Sequence, residues 1–283
     1  MSYPIGITSS VLPASYQQLI SLARQSAYSA FDLALGVFDH QDPILWPRTC
    51  DSAERALIRE LLEPFQFRSI DATIADLNVA STNPSRRDES VKQGLECIEL
   101  ATEVNATSIS LAPGLPTWGH VGSRKEIDRM TAAFAHKTLD LSPNDQLQLT
   151  FATTGTSREH MLALLDQINH HRFGLSLDVG AIACSWAGDI DSPDVLTHEV
   201  QKWIESFGSR IKTVFVGGVH QRWHDTRLDC CPMELNCCID YNKVLQSLGA
   251  SGYQGPIILK IKSSSAERIV GFCNSARSQL LGV

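Results

Sequence analysis

Short runs of β-type residues alternate with longer amphipathic runs from one end of the chain to the other. The short runs fall at residues 4–8, 30–35, 67–73, 107–112, 147–153, 173–179, 211–216 and 256–261. The longer ones, at 14–27, 52–64, 90–104, 124–139, 157–170, 195–207, 240–248 and 266–281, repeat their apolar positions with the period of an α-helix. Strictly alternating strands and helices predict a parallel sheet with helical crossovers. Eight such units predict an α/β fold, a (β/α)8 barrel, with one domain over residues 1–283. An open doubly wound sheet is the other arrangement that periodicity permits. Asp51, Ser123 and Thr156 stand before helical runs, where a side-chain oxygen satisfies first-turn N–H groups. No composition break, low-complexity tract or short internal repeat interrupts the pattern.

Composition narrows the function classes. At 43% hydrophobic residues, the 283-residue chain has enough apolar material for one large core. A formal charge of −7 without a Lys/Arg stripe argues against a nucleic-acid surface. The start, MSYPIGITSS, carries no charged region followed by a long apolar one, and no apolar run is long enough to span a bilayer. The expectation is therefore a cytoplasmic protein with no membrane or nucleic-acid partner, its eight cysteines reduced. The doublets Cys230-Cys231 and Cys237-Cys238 lack the CxxC spacing of a zinc site and read as small loop residues, with a thiolate site as the alternative.

Three separated segments then carry a resemblance. They are LQLTFATTGTSREHMLALLDQINHHRFGLSLDVGAIA from Leu147, GLECIELATEVNATSISLAPG from Gly94, and IDYNKVLQSLGASGYQGPIILKI from Ile239. In order and spacing these resemble the xylose-isomerase-like (sugar phosphate isomerase/epimerase) TIM-barrel family. The resemblance implies a TIM barrel with chemistry at the C-terminal ends of the strands. It also implies a divalent metal held by a Glu, an Asp, a His and a second Glu, one from each of strands five to eight. Those positions are occupied here by Ala152, Asp178, Phe215 and Lys260. The His that follows the sixth strand in the family is Ala181, and the Asp after the seventh is Gly218. DNA-repair endonucleases share the superfamily, but the acidic charge balance disfavours that activity here.

Strand alternation places Thr150, Ala152 and Thr154 inward on the fifth strand and Ser176 and Asp178 inward on the sixth. It likewise turns Thr213, Phe215, Ile258 and Lys260 into the barrel. One carboxylate is too few for a catalytic metal, so the inherited site is expected to hold no metal and no other cofactor. Three carboxylates and a dication sum to −1, whereas Asp178 with Lys260 sums to zero. An Asp178–Lys260 ion pair would take over the metal's structural role, because a lone buried lysine is costly. The same pair is also the candidate catalytic unit, with Lys260 as base or Schiff-base former and Asp178 as its proton partner.

Around that pair the expected substrate-binding residues are Asp32, Trp118, His120, Thr154, Phe215, His220, Arg222 and His224. His220, Arg222 and His224, with Asp225, Arg227 and Trp223, offer anion-binding and proton-moving groups. A solvated loop is the plainer reading for each of them. Trp118 and His120 suit ring packing, though a Trp also simply covers a barrel rim. Asp32 suits a substrate hydroxyl, and Thr154-Gly155-Thr156 suits either an anion or plain helix capping. His136, His170 and His171 read as structural.

The sequence thus predicts a metal-independent isomerase, epimerase or lyase acting by acid/base chemistry on a small carbonyl- or hydroxyl-bearing metabolite, with homo-oligomer formation left open. The alternative is a catalytically inactive relative that serves as a binding or partner subunit. A metal site rebuilt from His220, His224, Asp229 or the Cys doublets is a third.

Overall fold

The computed structural model describes residues 3–11, 15–36, 45–73, 77–116, 124–142, 145–153, 155–185, 193–218, 237–261 and 266–281. Eight parallel strands close into a barrel in sequence order. They are β1 (Ile5–Thr8), β2 (Ala30–Ala34), β3 (Phe67–Ala72), β4 (Ser108–Leu111), β5 (Gln148–Ala152), β6 (Phe173–Asp178), β7 (Ile211–Val216) and β8 (Ile257–Leu259). The outer helices are α1 (Tyr16–Gln25), α2 (Ser52–Leu62), α3 (Pro84–Glu103), α4 (Arg124–Leu141), α5 (Arg158–Ile168), α6 (Val179–Ser185), α7 (Pro193–Phe207), α8 (Tyr241–Ala250) and α9 (Ala266–Leu281). Pairing of β8 with β1 closes the ring and removes the open-sheet alternative.

Strand alternation divides the strand side chains between two environments. Outward residues such as Ile70, Ile109, Leu149, Phe151, Leu175, Leu177 and Val214 are fully buried in one core shared with the helices. Inward residues fill the barrel, where the only apolar cluster among the described residues is Ala30, Phe215 and Ile258, with Phe67 against it. The rest of the lining is small or polar. Ser110 Oγ lies 2.7 Å from Ser176 Oγ and 3.0 Å from Thr150 Oγ1.

Inter-strand register sorts this lining into layers contributed by alternate strands, the packing rule of such barrels. Ala34, Asp178 and Lys260 lie nearest the C-terminal mouth, above a layer of Thr8, Asp71, Ala152 and Phe215. Asp32, Ser110, Ser176 and Ile258 form the next. Bulky aliphatic residues usually fill these positions; here hydroxyls and carboxyls occupy most of them.

Three departures from the sequence expectation have a local reason. Helix α3 begins at Pro84, because Asn83 caps Ser85 N and Arg86 N and a proline needs no N–H at that first position. The cap of α5 is Ser157, whose hydroxyl accepts from His160 N, in place of Thr156. Strand β6 ends at Asp178 and the chain turns at once into α6, a helix the periodicity did not show. Asp51 caps α2 as expected, accepting from Glu54 N at 2.9 Å. Ser123 lies outside the described residues.

A Cβ on Gly6, the inward position of β1, would sit 2.5 Å from the Ala30 carbonyl oxygen and 2.7 Å from Ala30 Cβ. Backbone cannot yield as a side chain can, so Gly6→Ala is expected to lower stability by about 1–3 kcal/mol in chemical denaturation. An unchanged midpoint would mean that β1 and β2 do not pack this closely.

Candidate active site at the barrel mouth

Lys260 follows β8, and its Nζ reaches Asp178 Oδ2 at 2.8 Å, two strands away at the end of β6. Between them stands Phe215 of β7, whose ring centroid lies 5.6 Å from Nζ. The ammonium therefore rests against an aromatic face while it bridges to the carboxylate. The side chains are only 26% and 11% exposed, so water screens the pair weakly. The contact expected from sequence forms.

Neighbouring elements fix Asp178. Thr153 Oγ1 accepts from Asp178 N at 3.1 Å. Asp178 Oδ1 accepts from Ala181 N at 2.9 Å, which ties the carboxylate to the first turn of α6. Both oxygens thus have partners. Of the four ligand positions implied by the resemblance, Ala152 and Phe215 have no donor atom, Lys260 presents a cation, and Asp178 is engaged. These residues do not fit a divalent metal. Among the described residues no group of three His, Cys, Asp or Glu is arranged to hold one.

Asp32 is placed differently from a residue that meets substrate in an open mouth. It is fully buried one layer below Asp71, accepting from Thr8 Oγ1 at 2.6 Å and from Ser69 Oγ at 2.5 Å. Burial, and then the nearby Asp71 charge, push its carboxyl up from 3.8 to about 7; the Ser69 and Thr8 hydroxyls and Lys260 oppose the rise. Asp71 itself, which the sequence reading did not single out, points into the barrel from the end of β3. Its Oδ1 accepts from Thr73 N at 3.0 Å and from Thr73 Oγ1 at 2.5 Å. The inward parity of Ser69 and Asp71 is readable from the alternation Phe67, Ser69, Asp71, but the ligand positions implied by the resemblance fall on strands five to eight.

Trp118, His120, Thr154, His220, Arg222 and His224 lie outside the described residues, as do Asp225, Arg227, Asp229, Trp223 and Cys230-Cys231. Of the other doublet, Cys238 is buried and Cys237 half-buried. His136 and His171 are exposed on or beyond helices away from the mouth. His160 was not anticipated. Its Nδ1 accepts from Arg124 Nε at 2.8 Å and its Nε2 lies 3.2 Å from Asp128 Oδ1, joining the first turns of α4 and α5. Burial and then the Arg124 charge lower its pKa, with Asp128 opposing.

Two predictions follow from these contacts. In a double-mutant cycle of Lys260→Met and Asp178→Asn, the coupling energy is expected on the order of 1–3 kcal/mol, between the surface and fully buried limits. A value near zero would show that the pair does not form. The second concerns Asp32. Its folded carboxyl binds a proton more tightly than the unfolded one, so its contribution to stability falls as pH rises from about 4 through about 7. Relative to wild type, Asp32→Asn should therefore gain stability as pH rises across that range. A pH-independent difference would contradict the raised carboxyl.

The comparisons agree with this architecture. The family model described as a xylose isomerase-like TIM barrel matches residues 20–276. No curated protein matches the chain by sequence. Among solved structures, a D-tagatose 3-epimerase-like protein superposes with a TM-score of 0.76 at 17% identity, over 99% of this chain and 97% of the other. D-psicose 3-epimerase from Clostridium cellulolyticum H10, solved with D-tagatose, gives a TM-score of 0.76 at 10% identity over 99% of both chains. A xylose isomerase domain protein from Planctomyces limnophilus gives 0.74 at 13% identity, over 100% of this chain and 97% of the other. At these identities the likeness concerns the fold. With the family model covering nearly the whole closed barrel, the chain belongs to the xylose isomerase-like TIM barrel family.

Proposed function

We propose that the protein is an isomerase or epimerase that moves a proton at a carbon beside a carbonyl group, without a metal, using Lys260 as proton carrier and Asp178 as its orienting carboxylate. The observation that carries this reading is the 2.8 Å contact between Lys260 Nζ and Asp178 Oδ2 at the C-terminal mouth. That end of the barrel is where such folds place their chemistry. A lysine there gives a proton as the ammonium or takes one as the amine, and a fixed carboxylate keeps Nζ aimed. In this family resemblance the second glutamate serves as ligand and acid/base; here its position holds Lys260, which keeps a proton-transfer group and brings its own positive charge.

The substrate class follows from the lining. Asp71, Asp178 and Lys260 offer hydrogen bonds to hydroxyls and a carbonyl, while Phe215, Ala34 and Ala152 add apolar surface to the lining. A small polyhydroxy ketone suits that mixture, and the D-tagatose and D-psicose 3-epimerases among the structural neighbours support it. A second reading, a non-catalytic partner subunit, rests on the loss of three ligand positions.

The assay is interconversion of D-tagatose, D-psicose and D-fructose with their epimers, with deuterium uptake from D2O as a more sensitive readout. Lys260→Met is expected to lower kcat by about 10²–10⁴-fold, the usual worth of a general acid/base group. Full turnover in that variant would remove Lys260 from the mechanism. Neither turnover nor exchange in wild type would favour the partner-subunit reading.

A further inference from the structure

We propose that Asp71, supported from beneath by Asp32, is a second catalytic proton carrier, on the wall of the mouth facing Lys260 and Asp178. This rests on the function proposed above and extends it, because inversion at a carbon needs proton access to both faces. One group on one wall exchanges a proton with retention; two groups on opposed walls invert.

Barrel order supplies the opposition. Asp71 is on β3 and Phe215 on β7, four strands apart in a ring of eight, and register puts them in one layer. Asp178 and Lys260 flank Phe215 one layer higher, on β6 and after β8. A substrate carbon held in the mouth therefore has Asp71 on one side and the Lys260–Asp178 pair on the other. Asp71 is as accessible as Asp178, each 8% exposed. Both bonds from Thr73 fall on Oδ1, and among the described residues nothing bonds Oδ2. One carboxylate oxygen is thus held and the other is free to meet a substrate.

Asp32 explains why a second carboxylate is tolerated there. It sits beneath Asp71 on the neighbouring strand, and the groups facing it from β1, β3 and β8 are Thr8, Ser69, Asp71 and Lys260. Burial away from water, and then the Asp71 charge beside it, push its carboxyl up to about 7 against the opposing Ser69 and Thr8 hydroxyls. Below that pH a protonated Asp32 adds no second negative charge beneath Asp71. Asp32 is a positioning residue in this scheme.

The step balances. Asp71 Oδ2 takes the proton from the carbon beside the carbonyl: the C–H bond breaks, an O–H bond forms, and the electron pair passes to the carbonyl oxygen as an enediolate. Lys260 Nζ–H then breaks as a C–H bond forms on the opposite face, the carbonyl is restored, and Lys260 is left as the amine beside Asp178. The opposite epimer runs the same path backwards, and solvent protons reset both groups.

The test uses the full chain in D2O with D-tagatose and its C3 epimer supplied separately. Asp71→Asn, which keeps an oxygen for Thr73, should lose epimerisation by about 100-fold or more. It should still exchange the substrate hydrogen that faces Lys260. Lys260→Met should show the mirror pattern, exchanging only the epimer whose hydrogen faces Asp71. Undiminished epimerisation in Asp71→Asn overturns the inference and leaves the Lys260–Asp178 reading standing. Equal loss of both exchanges in either variant also overturns it, since that marks one shared group. Wild type inert in both assays removes the parent reading and this one with it. A carboxyl titration by carbon NMR separates a folding defect from a chemical one: in Asp71→Asn the Asp32 midpoint should fall. An unmoved midpoint would show that the carboxyls do not face each other.

Discussion

A single charge-neutralising contact organises the mouth of this barrel. Lys260 and Asp178 come from elements separated by a strand, and the lysine spans the gap by lying against the Phe215 ring. Each part depends on the others. Without Phe215 the ammonium would lack its apolar support; without Asp178 it would be a half-buried charge with a desolvation cost. Asp178 is itself tied to Thr153 on one side and to Ala181 on the other, so the pair joins the ends of β5, β6, α6 and β8. A metal bound to several carboxylates would draw strand ends together in a comparable way. Here an organic cation does so, at positions where the family resemblance led us to expect ligands.

Beneath the pair, the interior departs from the aliphatic filling usual in such barrels. Hydroxyls of Thr8, Ser69, Ser110, Thr150 and Ser176 satisfy one another, the backbone and Asp32. Small polar side chains are well suited to this space because buried donors and acceptors must be paired. They also let a carboxyl stay buried: Asp32 has a hydroxyl on each oxygen, and its proton avoids a further charge next to Asp71. The apolar contacts that hold the fold lie on the other side of the sheet, between strands and helices. Polar groups and apolar packing are therefore carried by opposite faces of the same strands.

Much of this was legible in the chain. Each of the eight β-type runs contains a strand, because a period of two with bulky outward residues has no helical equivalent. The same parity turned Asp178, Phe215 and Lys260 into the barrel, and their proximity followed from the resemblance once strand order was granted. No motif surrounds Asp71. It faces Phe215 across the ring and lies above Asp32, and neither relation is local in sequence. Asp32 looked like a group for a substrate hydroxyl; its full burial depends on Thr8 and Ser69, residues 24 and 37 positions away. The early start of α3 at Asn83-Pro84 was present as a cap signal, whereas α6 is too short for periodicity to reveal.

The central claim is that a lysine–aspartate pair occupies the place of a divalent metal. Titration calorimetry of the chelator-stripped protein with Mn2+, Co2+, Zn2+ and Mg2+, followed by elemental analysis after desalting, tests it most directly. The account predicts no stoichiometric binding of any of the four, and ketose-dependent deuterium exchange that a chelator leaves unchanged. One tightly held ion per chain, with exchange lost on its removal and restored on its return, would contradict it.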